Sequence, residues 1–258
     1  MKMTYIKILG CFSATMTTNK FQSSQVLFHN NKSYLIDSGE GVQMLLSKYD
    51  IKLSSIDYVF ISHLHGDHFF GLAGLLTTMN RRGRTKNLTI FCPKGLKEII
   101  TLTLKKGNSW TKFDLIFHVY SQTSETLLSN EELSVISFPI NHRIPCKGFR
   151  FNIKSSDNHI SYAYCSDTMY DEKILKFIDE VDLLYHETTF LEKHKDLALK
   201  TKHSTSKDAA KIAAKAKVKK LVIGHFSTRY KDLNQFLLES CSIFDNTFLA
   251  EQGKKYIL

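Results

Sequence analysis

The sequence predicts an α/β chain in which two β-sheets face each other and helices cover their outer sides. Strand-like apolar runs crowd the first third of the chain, and strand and helix patterns alternate after it. The chain has 258 residues and is 43% hydrophobic, which is enough for a sizeable core. It has only 3 prolines and 12 glycines, with no repeat or linker-like stretch, so we expect one domain over residues 1–258.

The individual elements follow from the spacing of apolar residues. Strands are predicted where short apolar runs, several of them alternating with polar residues, are bounded by turn residues. These runs lie at 4–10, 24–29, 32–39, 56–63, 88–92, 114–120, 133–142, 161–167, 181–187 and 220–225. Helices are predicted where apolar residues recur every three or four positions, at 69–79, 171–180, 206–217 and 232–244.

Composition excludes several classes of protein. The N-terminal residues alternate like a strand and lack the pattern of a secretory signal, and no run approaches the roughly 18 apolar residues of a membrane span. The five cysteines are widely scattered, so the sequence predicts neither a disulfide framework nor a thiolate zinc site. We therefore expect a cytoplasmic protein with no membrane partner.

The charge balance is strongly basic. Lysine and arginine number 35 against 25 aspartates and glutamates, a formal net charge of +10. Basic residues cluster at 81–86, 191–203 and 211–220. Such a surface attracts polyanions, of which nucleic acid is the obvious candidate, although solubility alone is a sufficient reason for it.

One segment carries four residues that are able to bind metal. His63, His65, Asp67 and His68 follow a buried strand in the pattern H-x-H-x-D-H, and Gly66 lets the backbone bend between them. Imidazole and carboxylate without thiolate suit zinc, and manganese and iron are also compatible. The alternative is a histidine-rich surface loop or a set of core histidines satisfied by hydrogen bonds.

Three other predicted strands also end in a residue that can bind metal. His142, Asp167 and His225 are each the last residue of a predicted strand. A strand that ends in a ligand delivers it to the rim of a sheet, so several such strands can direct their ligands to one place. Taken singly, each of these residues is equally compatible with a structural role.

The metal-binding pattern resembles that of the metallo-β-lactamase superfamily, whose members share a four-layer αββα sandwich and a dinuclear site. Because that site serves many substrates, other segments must identify the reaction. Several of them together resemble ribonuclease Z, a family that removes the 3′ trailer from precursor tRNA. These segments are residues 37–43, 62–68, 141–151, 165–168, 186–190, 202–206 and 224–230.

The resemblance implies two zinc ions per subunit and seven side chains that bind them. One ion is held by His63, His65 and His142, the other by Asp67, His68 and His225, and Asp167 bridges them. Asp37 is implied to stand behind the ligands, where a carboxylate accepts a hydrogen bond from a ligating imidazole and fixes its orientation. Precursor tRNA is the implied partner, and a homodimer the implied assembly.

The resemblance also implies an acid and a base. His203 of the sequence His-Ser-Thr donates a proton to the leaving oxygen, and Glu187 of His-Glu-Thr-Thr orients it. Asp67 accepts a proton from the attacking water. The competing interpretation of residues 203–206 is a helix start capped by Ser204 or Ser206.

One departure from the family concerns its tRNA-binding arm. Many bacterial members insert a long basic arm between the third and fourth metal segments, but only 24 residues separate His142 from Asp167. The alternative function is therefore hydrolysis of small or cyclic phosphodiesters. A thioester or lactone hydrolase would leave residues 203–206 and 224–230 without a role, and the complete ligand set argues against a catalytically silent RNA-binding subunit.

Overall fold

The computed structural model describes residues 4–154 and 159–258. Within these residues the chain divides into two compact units, one of residues 4–120 with 251–257 and one of residues 121–250. Each unit contains one seven-stranded sheet. Strands and helices together confirm the α/β class, whereas the single domain over 1–258 stays a prediction.

The strands of the first unit are β1 (Tyr5–Gly10), β2 (Ser24–His29), β3 (Lys32–Ile36), β4 (Ile56–Phe60), β5 (Leu88–Cys92), β6 (Leu115–Val119) and β14 (Lys255–Ile257). Those of the second unit are β7 (Glu125–Ser129), β8 (Leu133–Ile140), β9 (Cys146–Lys154), β10 (His159–Cys165), β11 (Leu183–Glu187), β12 (Leu221–Gly224) and β13 (Thr247–Leu249).

The helices of the first unit are α1 (Val42–Lys48), α2 (Gly66–Phe69), α3 (Gly71–Arg81) and α4 (Leu96–Lys106). Those of the second unit are α5 (Leu175–Ile178), α6 (Lys195–Thr201), α7 (Ser206–Lys215) and α8 (Asn234–Cys241). Across the described part of the chain, every helix is too short or too polar to cross a lipid bilayer.

In the first unit the strand order is β14-β1-β2-β3-β4-β5-β6. The strands from β14 to β3 pair antiparallel, and those from β3 to β6 pair parallel. Helices α1, α3 and α4 bury their apolar residues in one core with the sheet. Leu46, Leu75 and Ile100 from these helices share this core with Val59 and Ile90 of the strands, and burying each such side chain stabilises the unit by about 1.5–3 kcal/mol.

In the second unit the order is β13-β12-β11-β10-β9-β8-β7, with antiparallel pairing from β7 to β10 and parallel pairing from β10 to β13. Helix α7 packs against β11 and β12, and α8 packs against α7 and β13. Because β9 runs opposite to both β8 and β10, the strands β8, β10, β11 and β12 share one direction. Their carboxyl ends therefore lie at the same edge of the sheet, where α/β proteins place their sites.

Every predicted strand and helix range contains an element of the predicted type, but several boundaries differ. The range 171–180 contains a short 3-10 turn followed by the single helical turn α5. The range 32–39 ends as a strand at Ile36, because Asp37 leaves the sheet with a positive φ of 56°. Four strands and four helices were not predicted: β7, β9, β13, β14, α1, α2, α4 and α6.

Candidate metal centre

The turn after β4 brings the four residues of the H-x-H-x-D-H pattern together in the first unit. His63 and His68 are fully buried, whereas His65 and Asp67 are partly exposed. The ring centroid of His63 lies 4.7 Å from that of His65 and 4.2 Å from that of His68. The Nε2 atom of His63 is 3.0 Å from the Nδ1 atom of His65, so two ring nitrogens converge as the ligands of one ion would.

Asp37 fixes the orientation of two of these rings. Its Oδ2 atom accepts hydrogen bonds from His68 Nδ1 at 2.8 Å and from the hydroxyl of Ser62 at 2.9 Å. The hydroxyl oxygen of Ser62 in turn lies 3.0 Å from Nδ1 of His63 and accepts a hydrogen bond from it. This chain of bonds leaves Nε2 of both histidines unprotonated, which is the form that binds a metal.

Further hydrogen bonds hold two backbone carbonyls before the turn and the side chain of Asp67 within it. The phenol of Tyr120 lies 2.8 Å and 2.7 Å from the carbonyl oxygens of Ile61 and Ser62. The backbone N–H of Ala14 donates to Oδ2 of Asp67 at 2.8 Å. A Cβ added at Gly66 would come within 2.2 Å of the Phe70 ring, so a larger residue between the two pairs of ligands would require this exposed ring to move.

In the second unit, His142, Asp167 and His225 follow the carboxyl ends of β8, β10 and β12. The two carboxylate oxygens of Asp167 face different histidines. Its Oδ2 atom lies 3.6 Å from Nε2 of His142, and its Oδ1 atom lies 3.2 Å from Nε2 of His225. A carboxylate in this position is able to serve two ions at once.

Hydrogen bonds on the far side of each ring aim both histidines at Asp167. Nδ1 of His142 donates to the carbonyl oxygen of Lys202 at 2.9 Å. Nδ1 of His225 donates to the hydroxyl of Thr189 at 2.8 Å. His225 has a positive φ of 62°, so the chain adopts an uncommon backbone conformation to direct this ring.

His203 lies beside these ligands and is paired with the buried Glu187. Its Nδ1 atom is 2.9 Å from Oε1 of Glu187, and its ring centroid is 5.0 Å from that of His142 and 5.5 Å from that of His225. One ligand atom each of Asp167, His203 and His225 lie within 4.8 Å of one another.

Further donors surround the carboxylate of Glu187. Its oxygens accept from the backbone N–H groups of Thr168, Ser204 and Thr189 and from the Thr189 hydroxyl, at 2.9–3.1 Å. Burial raises the pKa of Glu187, but the charge and hydrogen bond of His203 lower it by more, so the net pKa lies below its ordinary value. The group is therefore a carboxylate at neutral pH.

Two neighbouring details were not expected from the sequence. The cap of α7 is Thr205, in a reciprocal pair of hydrogen bonds with Asp208, so the predicted cap at Ser204 or Ser206 is wrong. Ser204 instead donates to the carbonyl oxygen of Thr168 at 2.7 Å. His186 donates from Nδ1 to the carbonyl oxygen of Glu187 at 2.8 Å, and burial lowers its pKa.

The donor chemistry of both units fits divalent metal ions. Imidazole nitrogens and carboxylate oxygens converge without thiolates, and hydrogen bonds fix the rings with their unprotonated nitrogens facing the other ligands. The supporting residues Ser62, Thr189 and Tyr120 were not singled out from the sequence. Ser62 precedes the motif residue His63, and Thr189 lies two positions after Glu187, so their position in or beside the motifs was the available signal.

Comparisons with known proteins identify the family and the fold. Residues 4–239 match the family model described as anti-Pycsar protein Apyc1. Ribonuclease Z of Bacteroides fragilis is 38% identical over 96% of this chain and 97% of its own, and that of Cytophaga hutchinsonii is 40% identical over 96% and 94%. The alignment with the Bacteroides fragilis protein spans 294 positions, whereas this chain has 258 residues. The relative therefore carries at least 36 residues that this chain lacks.

Solved structures agree with these sequence relatives. The short form of human tRNase Z matches with a TM-score of 0.84 and 29% identity, covering 98% of both chains. The metallo-β-lactamase fold protein YhfI from Bacillus subtilis matches with a TM-score of 0.83 and 20% identity over 99% of this chain and 100% of its own. The predicted metallo-β-lactamase fold is thereby confirmed. The chain belongs to the ribonuclease Z family and also to the sequence family that the Apyc1 model defines.

Proposed function

We propose that this chain is a metal-dependent endoribonuclease that removes the 3′ trailer from precursor tRNA. The products are a tRNA with a 3′-hydroxyl and a trailer with a 5′-phosphate. The observation that carries the proposal is the pair of His203 and Glu187 beside Asp167 and His225, because metal ligands alone do not supply a proton donor for a leaving oxygen. The curated relatives named ribonuclease Z support the same substrate.

The proposed ligands form two sets that share one carboxylate. His63, His65 and His142 would hold one ion, Asp67, His68 and His225 would hold the other, and Asp167 would serve both. The donor types favour two zinc ions per subunit, with Mn²⁺ or Fe²⁺ as compatible replacements. When bound, a pair of such ions neutralises charge on the phosphate and lowers the pKa of water.

The chain's own residues complete the reaction. Glu187 accepts a hydrogen bond from the Nδ1–H group of His203. The proton that His203 gives to the leaving 3′-oxygen is therefore the one on Nε2. The carboxylate of Glu187 stabilises the protonated ring before transfer. Asp67, held by the backbone of Ala14, accepts a proton from the attacking water.

The proposed partner and location follow from the same activity. A net charge of +10 favours association with a polyanion such as tRNA, through contacts between lysine or arginine side chains and phosphates. We further propose a homodimer, on the basis of family resemblance, and a cytoplasmic enzyme.

The test is cleavage of a precursor tRNA with a defined 3′ trailer, with added Zn²⁺ or Mn²⁺ and with a chelator control. We expect one cut, a 3′-hydroxyl on the tRNA, and loss of cleavage with chelator. His203→Ala should abolish most turnover while metal content is retained, and His118→Ala, which changes an exposed histidine on β6, should leave turnover unchanged. Absence of cleavage by the metal-loaded wild type would contradict the proposal.

A second candidate function is hydrolysis of small or cyclic phosphodiesters. Strands β9 and β10 pair as far as Lys154 and His159, so only residues 155–158 connect them and the family's arm has no counterpart there. Loss of remote binding weakens tRNA affinity without changing the reacting groups. This candidate predicts ready hydrolysis of bis(p-nitrophenyl) phosphate or cyclic nucleotides with poor cleavage of precursor tRNA, and the reverse preference would exclude it.

A further inference from the structure

A cavity in the second unit lies next to the proposed ligand His142. Its volume is about 650 Å³, and its lining includes Ile140 and Asn141, the two residues that precede His142. The same cavity reaches Asp171, four positions after the proposed bridging ligand Asp167. The cavity therefore begins at the sheet edge that carries the proposed metal ligands and extends away from it.

The lining combines three kinds of surface. Pro139, Ile140 and Phe177 form an apolar wall, Lys173 and Lys176 supply two ammonium groups, and Asp171 supplies a carboxylate. A planar base suits the apolar wall, a phosphate suits the lysines, and a base N–H is able to donate to the carboxylate. A nucleotide presents all three groups, and pockets of this size are typical of small-molecule sites.

Two interactions fix the walls of this cavity. The ring of Phe177 stacks on the buried ring of Phe138, with centroids 5.0 Å apart and an interplanar angle of 8°. The amino group of Lys147 donates to the carbonyl oxygen of Thr123, another lining residue, at 2.5 Å, and Lys147 is only 3% exposed. A buried lysine is costly unless it has partners, and here it anchors the loop that lines the cavity.

We propose that this cavity binds one nucleotide of the substrate, adjacent to the phosphodiester that is cleaved. The inference rests on the proposed ribonuclease function and names a recognition site within it. Lys173 and Lys176 contact a phosphate of that nucleotide, and the wall formed by Pro139, Ile140 and Phe177 holds its base. This site offers the chain local contacts with RNA that do not depend on the family's arm.

The decisive variant is Lys173→Gln/Lys176→Gln, and the matched control is Lys97→Gln/Lys105→Gln on α4. Both pairs consist of exposed lysines, and both changes remove two positive charges, but the second pair lies in the first unit. We expect the first variant to lower kcat/KM for precursor tRNA about tenfold or more and to reduce the salt dependence of binding by about one phosphate contact. Hydrolysis of bis(p-nitrophenyl) phosphate, which has no nucleoside, should be unchanged in both variants.

A second measurement does not require ribonuclease activity. Isothermal titration of the metal-free protein with adenosine 5′-monophosphate should show binding to wild type and to the α4 control, and weaker binding to the Lys173/Lys176 and Phe177→Leu variants. If wild type cleaves no RNA yet this pattern holds, the ribonuclease proposal fails and the nucleotide site remains. Equal binding to all four proteins, or no binding to any, overturns the nucleotide site, as does an equal loss of tRNA cleavage in the α4 control.

Discussion

His203 and Glu187 form a hydrogen-bonded pair in which Nδ1 of the imidazole lies 2.9 Å from Oε1 of the carboxylate. The Glu187 side chain is fully buried, whereas that of His203 is 11% exposed. The pair therefore connects the interior of the second unit to its surface, with the charged partner inside and the proton donor at the boundary.

Replacing Glu187 by glutamine should separate the role of this pair from that of the metals. The amide cannot stabilise a protonated His203 as a carboxylate does, so we expect kcat for precursor tRNA to fall by about 10²–10⁴-fold. The kcat for a substrate whose leaving group needs no proton, such as bis(p-nitrophenyl) phosphate, should fall much less. Glu172→Gln, an exposed residue paired with Lys215, is the control. Equal losses on both substrates would exclude the acid role.

The buried His186 should make stability depend on pH. Burial lowers the pKa of His186 below its ordinary value of 6.5, so below about pH 6.5 the unfolded chain binds a proton that the folded chain does not. The free energy of unfolding should then fall with decreasing pH, by at most about 1.4 kcal/mol per unit from this one group.

The measurement is urea denaturation between pH 7.5 and 5 in chelator. We expect the slope of unfolding free energy against pH to be smaller in His186→Asn than in wild type, because the asparagine does not titrate. An unchanged slope in His186→Asn would show that this ring protonates equally in the folded and unfolded states.

Asp37→Asn should weaken metal binding without removing a ligand. The carboxylate orients His68 directly and His63 through Ser62, and loss of such a contact typically lowers metal affinity by about 10–100-fold. Competition between the protein and a chromophoric chelator for Zn²⁺ measures the change. Asp57→Asn, which removes a carboxylate paired with Arg84 and Lys86, should leave affinity unchanged. Retained affinity in Asp37→Asn would refute the orienting role.

Asp167→Ala should lower the occupancy of both proposed metal positions. Each of its oxygens faces a different histidine nitrogen, so one substitution removes a donor from both sets. Elemental analysis should give about two equivalents of zinc for wild type and for Asp196→Ala, an exposed aspartate of α6, and clearly less than one for Asp167→Ala. One full equivalent left in Asp167→Ala would mean that the carboxylate serves a single ion.

Thr205→Ala should destabilise the second unit through helix α7. The substitution removes the hydroxyl that accepts from the backbone of Asp208, and the loss of such a cap costs about 0.5–2 kcal/mol. Urea denaturation measures the change. Thr205→Ser keeps the hydroxyl and should retain most of the wild-type free energy of unfolding. An equal loss of stability in the serine variant would assign the effect to packing of the methyl group.

The sequence was most informative where an apolar run ended in a polar residue. Runs ending at His63, His142, Asp167 and His225 are indeed strands of two sheets, and each of these residues follows the end of its strand by one to three positions. The local order of motif residues was therefore readable without coordinates.

Elements whose stability comes from contacts distant in sequence could not be predicted from the sequence. Strand β9 has Phe149, Phe151 and Ile153 buried in alternation, but lysine, glycine and arginine interrupt the run, and pairing with β8 and β10 stabilises it. The cap at Thr205 was missed because three consecutive hydroxyl residues are equally good candidates in sequence, and only the reach of Asp208 selects one.

Asp37 and His225 both occupy the left-handed region of the backbone, with φ of 56° and 62°. Such positions cost of order 1–3 kcal/mol when the residue is not glycine, and both lie directly after a strand that delivers a side chain to the candidate site. Glycine at either position would relax the main chain but would remove the side chain that the strand end brings to the candidate site.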